Sequence, residues 1–250
     1  ELRLLLDYDG TLVPLARSPE AAAPDDDLLE LLKALSDLPD TRIDIVSGRP
    51  REPLEAWFGH LHLGLWAEHG FWRRSPTEQV WHAAANPWPN WQERVLPILE
   101  QFTAATPGSH IERKSATIAW HFRGAQREHG IRQAHELRML LGTAFSNQPW
   151  GVVEGKKLIE VRLRTADKAA VATRIVAQCG AGTAIVAIGD ERTDDDMFNA
   201  LPPSSLRVAV GKPSRHAEYA VDSYRDVRAL LRGIISARTA SAASSAPACP

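Results

Sequence analysis

Cysteine is scarce: Cys179 and Cys249 are all that 250 residues contain. Two such residues form neither a disulfide framework nor a metal-binding spacing, so a reducing, cytoplasmic compartment is expected. Long apolar runs are absent too. No stretch approaches the ~20 apolar residues that a membrane span requires, and no membrane partner is expected. Positive charge is not in excess, since the formal net charge is −2. That excludes the broad basic field which recruits nucleic acid. The start, Glu1 to Leu6, lacks the basic segment and cleavage site of a signal peptide. A strand begins almost at once, as expected of a domain excised from a longer chain.

What is present suits a folded enzyme. Hydrophobic residues make up 44% and charged residues 24%, enough apolar material for one large domain or two small ones. Residues 2–6 form a short apolar run ending in Asp7, which reads as a buried parallel strand. A helix over 25–38, with Leu28, Leu31, Leu32 and Leu35 on one face, precedes a strand at 43–46. A short helix at 51–58 leads to a third strand at 63–67. That alternation argues a parallel sheet with helical crossovers.

The pattern then changes. Short strands near 71–74 and 79–84 are followed by the proline-rich stretch 86–90, a hinge candidate. A helix over 91–105 contains Pro97, so a kink or late start is expected. Strands at 111–114 and 116–122, a helix over 127–143 and a pair of strands at 152–156 and 158–163 complete a separate α+β block. Alternation resumes with a helix over 167–178, a very apolar strand at 183–189, a helix at 194–200 and a strand at 206–210. Helices are expected at 214–219 and 225–236. The fold class is therefore α/β: a doubly wound, Rossmann-like core over 1–86 and 166–238, with an α+β domain inserted at 87–165. The Ala/Ser/Pro tail from 239 to 250 is expected to be disordered.

Ligands of such sheets gather at the carboxyl ends of the strands. Asp7-Tyr8-Asp9-Gly10-Thr11 lies at one such end. Alternate residues of an extended segment share a face, so two carboxylates converge there. Their repulsion is relieved by a cation, and Mg²⁺ suits carboxylates combined with phosphate oxygens. The bland alternative is a strand end with an Asx turn. Ser47-Gly48-Arg49 ends the second strand, where a hydroxyl and backbone amides suit phosphoryl oxygens; Ser-Gly is equally a turn or a cap. Lys168 opens a helix against the dipole preference. Gly189 to Asp196 crowds acids behind the most apolar strand. Helix capping accounts for Asp194 to Asp196, but a metal better accounts for Asp190 and Glu191. The tryptophans of the apolar segments read as packing rather than as a sugar-stacking platform.

The order Asp-x-Asp-Gly-Thr, strand-end Ser, Lys, Gly-Asp-x-x-x-Asp resembles the haloacid dehalogenase superfamily over essentially the whole ordered chain, and the insertion resembles its α/β cap. Within that superfamily the chain is similar to trehalose-6-phosphate phosphatases. The segments that carry this are Ala67-Glu68-His69-Gly70, Glu112-Arg113-Lys114, His121-Phe122-Arg123 and Gly155-Lys156-Lys157-Leu158-Ile159-Glu160-Val161-Arg162. Leu163, Ala169 and Glu191 depart from the usual Pro, Gly and Asp.

The resemblance implies Mg²⁺-dependent cleavage of a phosphorylated disaccharide. Asp7 would be the nucleophile and Asp9 the acid/base. Asp7, Asp9 (through its backbone carbonyl) and Asp190 would hold the metal. Ser47, Gly48 and Lys168 would hold phosphate, with Asp194 in support. Glu112, Lys114, Glu160, Arg49, His69 and Arg123 would meet the sugar. Read alone, Glu112 and Lys114 are an exposed strand edge and Glu160 a surface strand residue. The chain also resembles the phosphatase half of synthase–phosphatase fusions, which implies a trehalose-phosphate synthase partner. The alternatives are a phosphatase for sucrose phosphate or a monosaccharide phosphate, an inactive regulatory domain, and a receiver-like switch. An inactive domain should lack Asp7, Asp9, Lys168 or Asp190, and all four are present. A receiver lacks Asp9 and the insertion.

Overall fold

The structure is a computed structural model that describes residues 1–16, 20–84, 90–164 and 166–245. The chain divides into two compact units, Glu1–His82 with Asp167–Pro250, and Ala83–Ala166. Residues 86–89 of the hinge candidate lie outside the described residues.

The first unit is built on an eight-stranded sheet. Its strands are β1 (Leu2–Leu6), β2 (Thr41–Val46), β3 (Gly64–Ala67), β4 (Trp72–Arg74), β5 (Trp81–Ala83), β10 (Ala184–Gly189), β11 (Leu206–Val210) and β12 (Tyr219–Val221). β5 ends one residue past the unit's boundary at His82. The order is β12-β11-β10-β1-β2-β3-β4-β5. Pairing is parallel from β12 through β3, and β4 joins β3 antiparallel.

The pleat of β1 sorts its side chains. Leu4 and Leu6 enter the core formed with α1 (Asp26–Ser36) and α2 (Arg51–Phe58). Leu5 enters the opposite core, formed with α5 (Lys168–Val176) and α6 (Arg192–Asn199). Both faces of the sheet are thus covered, which is why the central strands are mostly apolar. Arg3 sits on the Leu5 face, buried, with Asp44 of β2 as its partner at 2.5 Å.

The second unit is a four-stranded antiparallel sheet of β6 (His110–Arg113), β7 (Thr117–His121), β8 (Trp150–Gly155) and β9 (Leu158–Leu163), in the order β6-β7-β9-β8. One face presents Ile118, Trp120, Ile159 and Val161 to α3 (Trp91–Ala105) and α4 (Arg127–Ala144). Burying the Trp120 side chain completely contributes about 2–3 kcal/mol. The α3 helix runs unbroken through Pro97 from Trp91, so the expected late start does not occur.

Two expectations fail. No helix forms at 214–219. Ser214 instead hydrogen-bonds Asp195 and accepts the His216 N–H at 3.0 Å, a local turn that leaves Tyr219–Val221 free to pair with β11. The last helix, α7, spans Tyr224–Ser245 and so enters the stretch from Thr239 that was expected to be disordered. Alanine carries enough intrinsic helix preference to extend an established helix. Residues 246–250 lie outside the described residues.

Candidate functional site

β1 delivers Asp7 to the carboxyl end of the sheet, where its N–H donates to the Ile188 carbonyl at 3.0 Å. The next side chain, Tyr8, turns into the core and donates its hydroxyl to the Ala22 carbonyl at 2.6 Å. That anchor keeps Tyr8 on the face of Leu4 and Leu6 and leaves Asp7 on the other. Asp7 is 5% exposed. Thr11 donates to its Oδ2 at 3.0 Å, and Lys168 donates to its Oδ1 at 2.6 Å.

Lys168 is shared. The same Nζ donates to Asp194 Oδ1 at 2.7 Å. Asp194 Oδ2 in turn accepts the N–H groups of Asp190 and Glu191, at 3.1 and 3.0 Å. One carboxylate therefore caps the start of α6 and locks the lysine. Lys168 is buried at the first position of α5, so its charge depends on these two partners. Burial acts to lower the ammonium's pKa, but Asp194 and Asp7 outweigh it and the pKa rises.

Two glycines allow the close approach. A Cβ on Gly189 would fall 2.2 Å from the Asp194 carboxyl carbon. One on Gly10, whose φ is +84°, would fall 2.1 Å from Asp190 Oδ2. Asp7, Asp190 and Asp194 consequently each place a carboxylate oxygen within 4.8 Å of the others. Three acids against one lysine leave excess negative charge. Burial first, then Asp194 and Asp190, holds the Asp7 carboxyl well above the usual range, although Lys168 opposes them. Asp190 is pushed up to about 7 by burial, then by Glu191 and Asp194. Its Oδ1 is buried without a hydrogen-bond partner. Hard carboxylate oxygens, surplus charge and an orphaned acceptor fit a divalent cation such as Mg²⁺.

Asp9 does not join this cluster through its side chain. Its carboxylate is gripped by Arg49, Nε to Oδ2 at 2.7 Å and Nη2 to Oδ1 at 2.6 Å. The guanidinium lies over Tyr8 and Trp57, with its carbon 5.6 and 5.1 Å from the ring centroids. Ser47 is buried after β2 and accepts the Arg49 N–H at 3.1 Å. His69 stands against Gly48, where a Cβ would lie 2.7 Å from the imidazole.

The sugar-binding expectations fall in the second unit, apart from Arg49 and His69. Register places Glu112 of β6 and Glu160 of β9 on either side of Ala119 in β7. That is the face opposite Trp120 and the helices. Glu112 bonds His121 at 2.8 Å, and Lys114 Nζ lies 3.7 Å from it. The His121 bond lowers the Glu112 pKa against the effect of burial. Arg162 stands 3.8 Å from Glu160. Arg123 is exposed just beyond β7.

One supporting residue was not foreseen, and two were given no role. Arg228 of α7 donates Nε to the Leu12 carbonyl at 3.0 Å and forks onto Asp25. No local pattern announces a contact across so much chain. His121 and Arg162 stood in segments that carry the family resemblance but were assigned no role; strand register sets them beside Glu112 and Glu160.

The family model described as trehalose-phosphatase matches residues 5–226. A bifunctional trehalose-6-phosphate synthase/phosphatase of Thermoproteus tenax is 40% identical over 91% of this chain and 31% of its own length. A trehalose-phosphatase of Zygosaccharomyces rouxii is 37% identical over 79% of this chain and 24% of its own. The chain thus spans less than a third of these curated relatives. Among solved structures, the C-terminal domain of the C. albicans trehalose-6-phosphate phosphatase superposes with a TM-score of 0.82 at 33% identity, covering 94% of this chain and 92% of that one. The chain belongs to the trehalose-phosphatase family.

Proposed function

We propose that this chain hydrolyses trehalose 6-phosphate to trehalose and phosphate, a step of trehalose biosynthesis, through an aspartyl-phosphate on Asp7. The observation that carries this is the Asp7–Lys168–Asp194 chain of hydrogen bonds beside Asp190. In the first step an Asp7 carboxylate oxygen attacks phosphorus, the bond to the sugar oxygen breaks, and Asp9 gives that oxygen a proton. In the second step Asp9 takes a proton from water, the water oxygen bonds phosphorus, and the Asp7–phosphorus bond breaks. Arg49 must first release Asp9, because a carboxylate held on both oxygens has no proton to donate.

Mg²⁺, held by Asp7, Asp190 and the Asp9 backbone carbonyl, would supply positive charge for the phosphoryl oxygens. Lys168, Ser47 and the Gly48 N–H hold the remaining oxygens, and Asp194 keeps Lys168 in place. Glu112, Lys114 and Glu160, with Arg123, offer the mixed donors and acceptors that sugar hydroxyls need. The name of the synthase/phosphatase relative supports reading this chain as the phosphatase segment of such a fusion. No described helix is long and apolar enough to cross a membrane. A phosphorylated sugar and a free Cys179 both suit the cytoplasm.

The test is phosphate release from trehalose 6-phosphate, sucrose 6-phosphate and glucose 6-phosphate, each with Mg²⁺ and with chelator. Release from the trehalose ester alone, abolished by chelator, is expected. Preference for another ester would reassign the substrate.

A further inference from the structure

Beyond β3 the backbone does something costly. Glu68, His69 and Gly70 have φ of 47°, 57° and 92°, three left-handed residues in succession. Two of them carry a Cβ, and that region is sparsely populated for such residues. A turn of this kind persists only where its surroundings hold it, and such turns cluster at functional sites.

Its surroundings are the phosphate-holding elements. The Glu68 N–H donates to the Arg49 carbonyl and the His69 N–H to the Ser47 carbonyl, both at 2.9 Å. These bonds clasp the loop on either side of Gly48. The His69 imidazole covers Gly48 so closely that an added Cβ would lie 2.7 Å from Cε1 and Nε2. On its other side the turn meets α5. A Cβ on Gly70 would lie 2.1 Å from Val171 Cγ2, less than one helical turn beyond Lys168. The turn therefore spans from the Ser47 loop to the helix that presents Lys168.

We propose that the Glu68–Gly70 turn is a positioning element for the phosphate loop, and that His69 acts through Gly48 rather than by touching the sugar. The phosphate-holding role of both elements rests on the function proposed above. A side chain that grips sugar changes how one substrate binds. A side chain that shapes the phosphate loop changes turnover of every phosphomonoester.

The experiment compares trehalose 6-phosphate with p-nitrophenyl phosphate in His69→Asn and His69→Gly, both of which tolerate the left-handed region. Circular dichroism and Mg²⁺ binding verify the fold. The expected result is a fall in kcat of about tenfold or more, by the same factor for both esters, with KM unchanged. Gly48→Ala is expected to cost as much, and Gly48→Ala with His69→Gly to recover part of it, because the ring that met the new methyl is gone. Should Gly48→Ala not fold, the His69 variants decide. A rise in KM confined to trehalose 6-phosphate would make His69 a sugar ligand and overturn the proposal, as would unchanged kcat for both esters. If the unaltered protein cleaves only p-nitrophenyl phosphate, the substrate assignment fails while the aryl ester still tests His69.

Discussion

Arg49 closes a two-bond fork on Asp9, with both contacts at or below 2.7 Å, while its guanidinium rests over Tyr8 and Trp57. A planar fork stacked on aromatic rings is a geometry that lysine cannot reproduce. The pairing keeps Asp9 apart from the Asp7–Asp190–Asp194 cluster, so two carboxylates only two residues apart have different partners.

Arg49 orients Asp9 up to the point of releasing it, so Arg49→Lys is expected to lower kcat/KM about tenfold although the charge is kept. Steady-state kinetics measure it, with the melting temperature as control. Wild-type kinetics in the lysine variant would show that the fork is incidental.

Metal binding should report on Asp190. Its carboxyl is pushed up to about 7 by burial, Glu191 and Asp194, so the metal-free folded state binds a proton that the unfolded chain has released. More protons bound in the folded state means that stability falls as pH rises from the ordinary carboxylate range through about 7. Mg²⁺ competes with that proton. Calorimetric titration is expected to show affinity about tenfold weaker at pH 6 than at pH 8, with proton release on binding. Equal affinities at the two values would contradict this.

Arg3 and Asp44 make a buried pair, 5% and 2% exposed in their side chains, and Trp66 Nε1 also donates to Asp44 at 2.9 Å. Arg3→Leu strands a buried carboxylate and is expected to cost about 3–5 kcal/mol in urea unfolding. Adding Asp44→Asn removes the stranded charge and should recover most of that loss. A single variant as stable as the parent would mean that Asp44 finds another partner.

Where local pattern and strand pairing agree, the sequence was legible. β1, α2 and β11 begin and end at the predicted residues because short apolar segments bounded by polar, Pro or Gly residues mark them locally. Asp7, Lys168 and Asp190 could be singled out because each stands at a strand or helix end where its type is otherwise hard to explain, whereas Asp194, which helix capping already explains, was marked by the family resemblance. The residues at 214–219 misled because Ser214 has the chemistry of a helix cap, and Asp195, brought near by the fold, diverts it. Arg228 on Leu12 and the fork of Arg49 on Asp9 join segments that no spacing rule connects. The left-handed turn at Glu68 and His69 was illegible for another reason: Glu does not advertise a positive φ, and the preference of His for that region is too weak to mark a turn.

Asp7→Asn separates stability from chemistry. The buried Asp7 carboxyl is disfavoured in its charged form, and the amide keeps the side chain's shape. Without Mg²⁺ the variant should melt at or above the parent temperature, while turnover falls by at least ~10³-fold. A large drop in melting temperature would indicate that the charged pair with Lys168 stabilises the fold.

The most direct measurement is acid quenching during turnover of trehalose 6-phosphate with Mg²⁺, followed by peptide mass spectrometry. The expected result is a phosphoryl group on the peptide that carries Asp7, absent from Asp7→Asn. Phosphate release at the parent rate by Asp7→Asn, or a phosphoryl group on another residue, would contradict it.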